Sequence, residues 1–193
     1  MSYKSGDHYT KRAKNDGFAA RSVYKLEEIQ NKWRIISQGD KVLDLGCAPG
    51  SWSRYAKQKV GNRGSVVGVD IQEVDGFVGD FLLASVYELD LEEVKRLLGG
   101  SPDVVISDMA PATTGDRFTD HFRQIELASA ALDIAVNTLS AKGHFIAKVF
   151  DGQDAPAFIQ KCRTSFKQVR RLKPKATRGR SVEFFVVASG LKP

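Results

Sequence analysis

The stretch from Val42 to Ser53 reads VLDLGCAPGSWS, and it constrains the fold of this chain more than any other. An apolar, β-type segment, Lys41 to Leu45, runs into a loop carrying Gly46, Pro49 and Gly50, and a helical pattern follows from Ser51. That is the first strand–loop–helix turn of a doubly wound α/β domain, where backbone comes close to a nucleotide-like ligand and side chains would obstruct it. The glycines are spaced G-x-x-x-G, not as in the dinucleotide fingerprint G-x-G-x-x-G. Asp44 sits at the strand end, where its carboxylate can accept hydrogen bonds from loop amides or from a ligand's ammonium group. A carboxylate facing a cationic amino-acid moiety suits S-adenosylmethionine better than a pyrophosphate. The plainer alternative is that Gly46 and Gly50 only shape a tight turn.

The rest of the chain repeats the alternation. Strands are predicted at Lys41–Leu45, Ser65–Asp70, Asp103–Asp108, Gly143–Phe150, Gln168–Leu172 and Ser181–Ala188. Helices are predicted at Ala20–Arg34, Trp52–Val60, Leu91–Leu98, Phe122–Leu139 and Ala155–Phe166. Continuous Val/Ile runs such as Val104 to Ile106 indicate strands buried on both faces, and the β–α alternation predicts a mostly parallel central sheet. No helix separates the final two strands, so the last one is predicted to run antiparallel. Residues 1–19 are polar and lack periodicity, which predicts a mobile basic arm on a single domain spanning 1–193.

Composition excludes several classes. No apolar run approaches the roughly 18 residues of a membrane span, and the N-terminus has no hydrophobic signal core, so a cytoplasmic protein is expected. Cys47 and Cys162 are isolated, which fits a reducing compartment, and His8, His121 and His144 form no cluster, so no metal is expected. Charge is segregated. Residues 1–34 carry eight basic and four acidic side chains, residues 161–193 ten and one, and the stretch between them eleven and eighteen. An acidic body with basic ends predicts a polyanion partner if the ends meet on one face, with Lys11, Arg12, Lys14, Arg170, Arg171, Lys173 and Arg178 as the candidate RNA contacts.

Ligands of open α/β sheets bind outside the carboxyl ends of the strands. Asp70 ends the second strand, where an acid can hold both ribose hydroxyls of a nucleoside. Asp80 follows it, as a candidate acceptor for an adenine amino group, and Asp108 ends the next predicted strand. Each taken alone is as well explained as a helix-capping loop residue. Lys148 and Glu183 interrupt apolar strands. A snorkelling lysine on an edge strand would account for the first, but beside Asp108 the two would form a buried charged cluster of the kind retained when paired or functional.

These motifs, in this order, resemble the FtsJ/RrmJ family of RNA 2′-O-methyltransferases, and the resemblance spans almost the whole chain. It implies a Rossmann-like, S-adenosylmethionine-dependent methyltransferase fold with a seven-stranded, mostly parallel sheet. It also implies a Lys-Asp-Lys-Glu tetrad that falls here on Lys25, Asp108, Lys148 and Glu183. The family's cofactor contacts fall on Gly50, Trp52, Asp70, Asp80 and Asp108, beside the loop residues Asp44, Gly46 and Pro49. The stretch between Asp70 and Asp80 is shorter than in the bacterial ribosomal enzyme. The implied substrate is a uridine of large-subunit ribosomal RNA in the ribosomal subunit, met by a monomer with no membrane partner.

The chemistry agrees with the tetrad. Moving a methyl from a sulfonium to a ribose 2′-hydroxyl is an in-line displacement that needs a proton acceptor, and an ordinary lysine with a pKa of about 10.4 is a poor one. Burial and a neighbouring Lys25 are expected to lower Lys148 toward the useful range of about 7–8, against Asp108 and Glu183. Lys148 is therefore the expected base and Asp108 its orienter. Lys25 and Glu183 would support the base and the ribose. Rival readings are a nicotinamide oxidoreductase, a transfer-RNA anticodon-loop methyltransferase and a non-catalytic ribosome-assembly protein.

Overall fold

The computed structural model describes residues 5–179 and 181–193. Its helices are α1 (Ser5–Asn15), α2 (Val23–Trp33), α3 (Ser51–Val60), α4 (Leu91–Leu98), α5 (Arg117–Thr138) and α6 (Ala155–Ser165). Its strands are β1 (Lys41–Leu45), β2 (Ser65–Asp70), β3 (Asp80–Leu83), β4 (Val104–Ser107), β5 (His144–Phe150), β6 (Phe166–Leu172) and β7 (Glu183–Leu191). They form one seven-stranded sheet in the order β3-β2-β1-β4-β5-β7-β6. β1 to β5 pair in parallel, and β7 lies antiparallel between β5 and β6.

Strand alternation divides the core into two layers. Leu43, Leu45, Val105, Phe145, Ala147, Val149, Phe184 and Val186 pack with α4, α5 and α6. Val42, Val66, Val104, Ile106, Ile146, Phe185 and Val187 pack with α2 and α3. The same two-residue period carries Asp44, Lys148 and Glu183 onto the α2/α3 face, each at the end of its strand where the sheet opens. Lys148 is 7 % exposed, and its strand is central. It is not an edge lysine.

Local chemistry sets the element ends. Asp90 caps α4 by accepting from the amides of Glu92 and Glu93, and Gly99 closes that helix in the left-handed region. Asp116 accepts from the Thr119 amide and starts α5 at Arg117, five residues before the apolar periodicity begins. Two expectations are corrected. β3 is a short edge strand with no fully buried residue, so it lacked the apolar run that marks the others. The predicted mobile arm is instead helix α1 over Ser5–Asn15. Its Ala13 is buried, and its Tyr9 packs on Tyr24 of α2 with ring centroids 5.6 Å apart. Residues 1–4 lie outside the described residues. Among the described residues no helix is long and apolar enough to cross a membrane.

Candidate active site

Strand order reverses between β1 and β4, so the loops leaving these neighbours diverge and leave a crevice. A cleft of about 630 Å³ occupies it. Gly46, Ala48 and Pro49 form one wall, Asp70, Ile71 and Gln72 the floor beside β2, and Asp108, Met109 and Pro111 the wall beyond β4. Arg123 and Leu127 of α5 and Ser85 to Tyr87 after β3 close it. The volume falls in the range of small-molecule sites.

Gly46 and Gly50 both have positive φ, 74° and 90°. A Cβ at Gly46 would stand 2.2 Å from Met109 Cγ, so this glycine lets the β1 and β4 loops meet. Asp70 holds the first loop in place. One of its oxygens accepts from the Ala48 amide at 2.8 Å, the other from the Gln72 amide at 2.9 Å. Each oxygen keeps a further lone pair for a hydroxyl.

Asp44 lies beneath this loop, 1 % exposed. Its Oδ2 accepts from the Ser53 hydroxyl at 2.5 Å, while Oδ1 is buried without a partner. Burial, helped by the charges of Asp108 and Asp70, pushes its pKa up to about 7. Asp70 and Asp108 line the cleft and Asp44 lies buried beneath its loop, an arrangement of carboxylates that favours a cationic ligand. Trp52 is a brace. Its indole N–H donates to the Ser22 carbonyl at 2.9 Å and its ring packs on Phe185, so the side chain stays off the cleft.

At the other end of Asp108 lies the charged cluster. Lys148 Nζ is 3.1 Å from the Asp108 carboxylate and donates to the Asp108 carbonyl at 2.6 Å. Lys25 Nζ, projecting from the first turns of α2, is 2.6 Å from Glu183. All four side chains are at most 16 % exposed. The four predicted tetrad positions are therefore brought together from α2, the β4 loop, β5 and β7, as two ion pairs. Gln124 of α5 was not foreseen. Its amide nitrogen donates to the Lys148 carbonyl at 2.7 Å and its oxygen accepts from the Phe150 amide at 3.1 Å. β4 ends opposite Ala147, so this side chain continues the hydrogen-bond ladder along β5 where the neighbouring strand stops.

Asp80 is a correction. It opens β3, in register with Val67, whereas Asp70 pairs with Leu83. In a parallel pair that puts Asp80 at the end of β3 remote from the cleft, level with the middle of β2, and Ser85, past the other end, lines the cleft instead. Asp80 is instead the first residue of β3, before the strand reaches the cleft.

Not all of the basic side chains share one face. Arg170 and Arg171 point to opposite sides of β6, as alternation requires. Arg170 lies over Trp33, about 12 Å along α2 from Lys25. Arg171 covers Phe184 and pairs with Asp151 at 2.7 Å. Arg12 is held by Asp16 and Glu27, Lys11 lies on α1, and Lys173 donates to the Ser181 carbonyl. Lys14 lines a second cavity of about 380 Å³ with Arg54 and Phe18. Arg178 is near enough to Arg21 that, after burial, its charge lowers the Arg21 pKa. Arg21, overlooked in the sequence, donates to the Ala176 carbonyl at 2.6 Å and ties the β6–β7 loop to the start of α2.

Compared with known proteins, residues 18–191 match the FtsJ-like methyltransferase family. A protein of Nitratidesulfovibrio vulgaris named ribosomal RNA large subunit methyltransferase E is 47 % identical, over 98 % of this chain and 95 % of its own. One of the same name from Bdellovibrio bacteriovorus is 43 % identical over the whole of both chains. The crystal structure of a Plasmodium falciparum protein assigned as a ribosomal RNA methyltransferase superposes with a TM-score of 0.80, covering 90 % of this chain and 98 % of that one. At 23 % identity that likeness speaks to the fold.

Proposed function

This chain belongs to the FtsJ-like methyltransferase family, and from that premise we propose that it methylates a ribose 2′-hydroxyl of ribosomal RNA, using S-adenosylmethionine. The names carried by its relatives support large-subunit RNA as substrate, and a uridine within the ribosomal subunit is the target we assign. The enzyme acts as one domain, in the cytoplasm, where that substrate is found. The observation that carries the reading is the Lys148–Asp108 pair, at the edge of a cleft that Asp70 lines from the β2 side, with Asp44 buried beneath its loop.

The residues present fit the cofactor. Asp70 offers free lone pairs to the ribose hydroxyls, Met109, Pro111, Ile71 and Val86 give the cleft apolar walls, and three carboxylates suit a ligand carrying ammonium and sulfonium charges. When bound, S-adenosylmethionine supplies a methyl carbon activated by its positive sulfonium. The chain's own residues do the rest. Lys148 would accept the proton of the 2′-hydroxyl as that oxygen is methylated and the methyl's bond to sulfur breaks. Asp108 holds Nζ through carboxylate and carbonyl, which fixes the direction of its lone pair and balances the charge it acquires. Lys25, neutralised by Glu183, is placed to donate to the ribose on the substrate side.

The test is transfer of labelled methyl groups to large ribosomal subunits, naked ribosomal RNA and transfer RNA from cells lacking the enzyme. The label should enter ribosomal RNA as 2′-O-methylribose. Lys148→Ala should lower turnover about 10²–10⁴-fold, with cofactor affinity nearly intact by calorimetry. Preference for transfer RNA would refute the substrate, and turnover above about a tenth of wild type would refute Lys148 as base.

A further inference from the structure

The first two turns of α5 carry side chains that folding does not use. Phe118 is 70 % exposed and Phe122 53 % exposed. They lie four residues apart and so stand one above the other on a single face of the helix. Neither ring packs on another aromatic side chain, and the flanking Arg117 and Arg123 are exposed and pair with no carboxylate among the described residues. Two phenylalanines exposed on adjacent turns of one helix face make a small apolar patch open to a partner.

What lies beneath them is firmly held. His121 accepts from the Asp154 amide at 3.2 Å, and the missing side chain of Gly152 makes room for its ring. Gln124 grips β5 at Lys148 and Phe150. The buried face of these turns is therefore locked to the strand end that carries the proposed base. With a rise of about 1.5 Å per residue, Phe122 stands about 3 Å and Phe118 about 9 Å along the axis from Gln124. Arg123 and Leu127 turn toward the cofactor cleft. The two rings stand on another part of the helix circumference, on the side of the β5–α6 loop.

We propose that Phe118 and Phe122 form a stacking platform for an unpaired base next to the target nucleotide of the RNA substrate, with Arg117 meeting an adjoining phosphate. This rests on the proposed function. RNA methylated on a ribose must unstack locally to bring that 2′-hydroxyl to Lys148, and the neighbouring base then needs a surface. Aromatic faces beside unpaired guanidinium groups are the chemistry that binds single-stranded nucleic acid without reading its sequence. An exposed guanidinium flanking two exposed rings favours RNA over an apolar protein partner.

Phe118→Ala, Phe122→Ala and the double variant should melt as the wild type does and bind S-adenosylmethionine unchanged. Each single variant should raise the KM for naked ribosomal RNA about tenfold, the range of one lost base–aromatic stack, and the double variant more. Phe118→Trp should restore the wild-type KM, and its added fluorescence should be quenched by a single-stranded ribosomal RNA fragment spanning the target. Wild-type KM in the double variant would overturn the platform while leaving the methyltransferase reading intact. A loss seen on assembled subunits but not on naked RNA would overturn it in favour of a ribosomal protein partner. Failure of the wild-type enzyme itself to methylate ribosomal RNA would remove the proposed function, and the platform with it.

Discussion

Asp44→Asn tests how the cleft is charged. In the folded protein the carboxyl of Asp44 titrates near 7, against an ordinary value of 3.8, because it is buried and faces Asp108 and Asp70. Between those two values the folded state keeps a proton that the unfolded chain has released. Stability therefore falls as pH rises, by about 1.4 kcal/mol per unit, and levels off above about pH 7. Over the whole window the loss is about 4 kcal/mol, a large part of a small protein's stability. Asparagine has no proton to lose, and its amide oxygen can still accept from Ser53. The variant should match the wild type near pH 4 and exceed it by about 4 kcal/mol at pH 8. Urea unfolding followed by tryptophan fluorescence across that range measures this, and the difference between the two proteins cancels groups that titrate in both. With S-adenosylmethionine present the gap at pH 8 should shrink, since a cation beside the carboxylates favours ionised Asp44. A difference independent of pH, or a variant less stable than wild type at pH 8, would refute the reasoning.

Asp70→Ala should weaken S-adenosylmethionine binding at least tenfold by calorimetry and destabilise the protein, because it also strips the Ala48 and Gln72 amides of their acceptor. Gly46→Ala should lower stability by about 1–3 kcal/mol in urea unfolding, from its positive φ and from the clash with Met109. Gln124→Leu leaves a carbonyl and an amide of β5 without partners. It should destabilise by about 1–3 kcal/mol and lower kcat with an unchanged cofactor Kd. Unaltered kcat would mean that the strand end holds Lys148 in place unaided.

The fold was legible wherever burial leaves a periodic mark. β1, β2, β4 and β5 are apolar on both sides, and α4 is bracketed by Asp90 and Gly99, so their positions could be read from residues. β3 left no such mark, being exposed at both ends. That gap caused the error at Asp80, whose identity matched a motif while its place on the strand did not. Lys148 and Glu183 were visible because charge interrupts an apolar run. Gln124 was hidden because a polar residue in a long helix looks like surface until the helix phase is known, and its neighbours Ala128 and Ala131 gave that phase only weakly. The charge count carried no positions. Arg170 and Arg171 leave β6 on opposite sides, and Arg12 and Arg171 pair with Asp16, Glu27 and Asp151.

The sheet order makes two separate features depend on one strand. β7 is last in the chain but central in space, entering between β5 and β6, and β6 has no other neighbour. Glu183, which holds Lys25, is the first residue of that strand. Without Glu183–Leu191 in place, Lys25 has no carboxylate partner and β6 has no strand to pair with. One strand thus sets the charge of the site and the edge of the sheet together, so a lesion in β7 far from Glu183 is felt at Lys25.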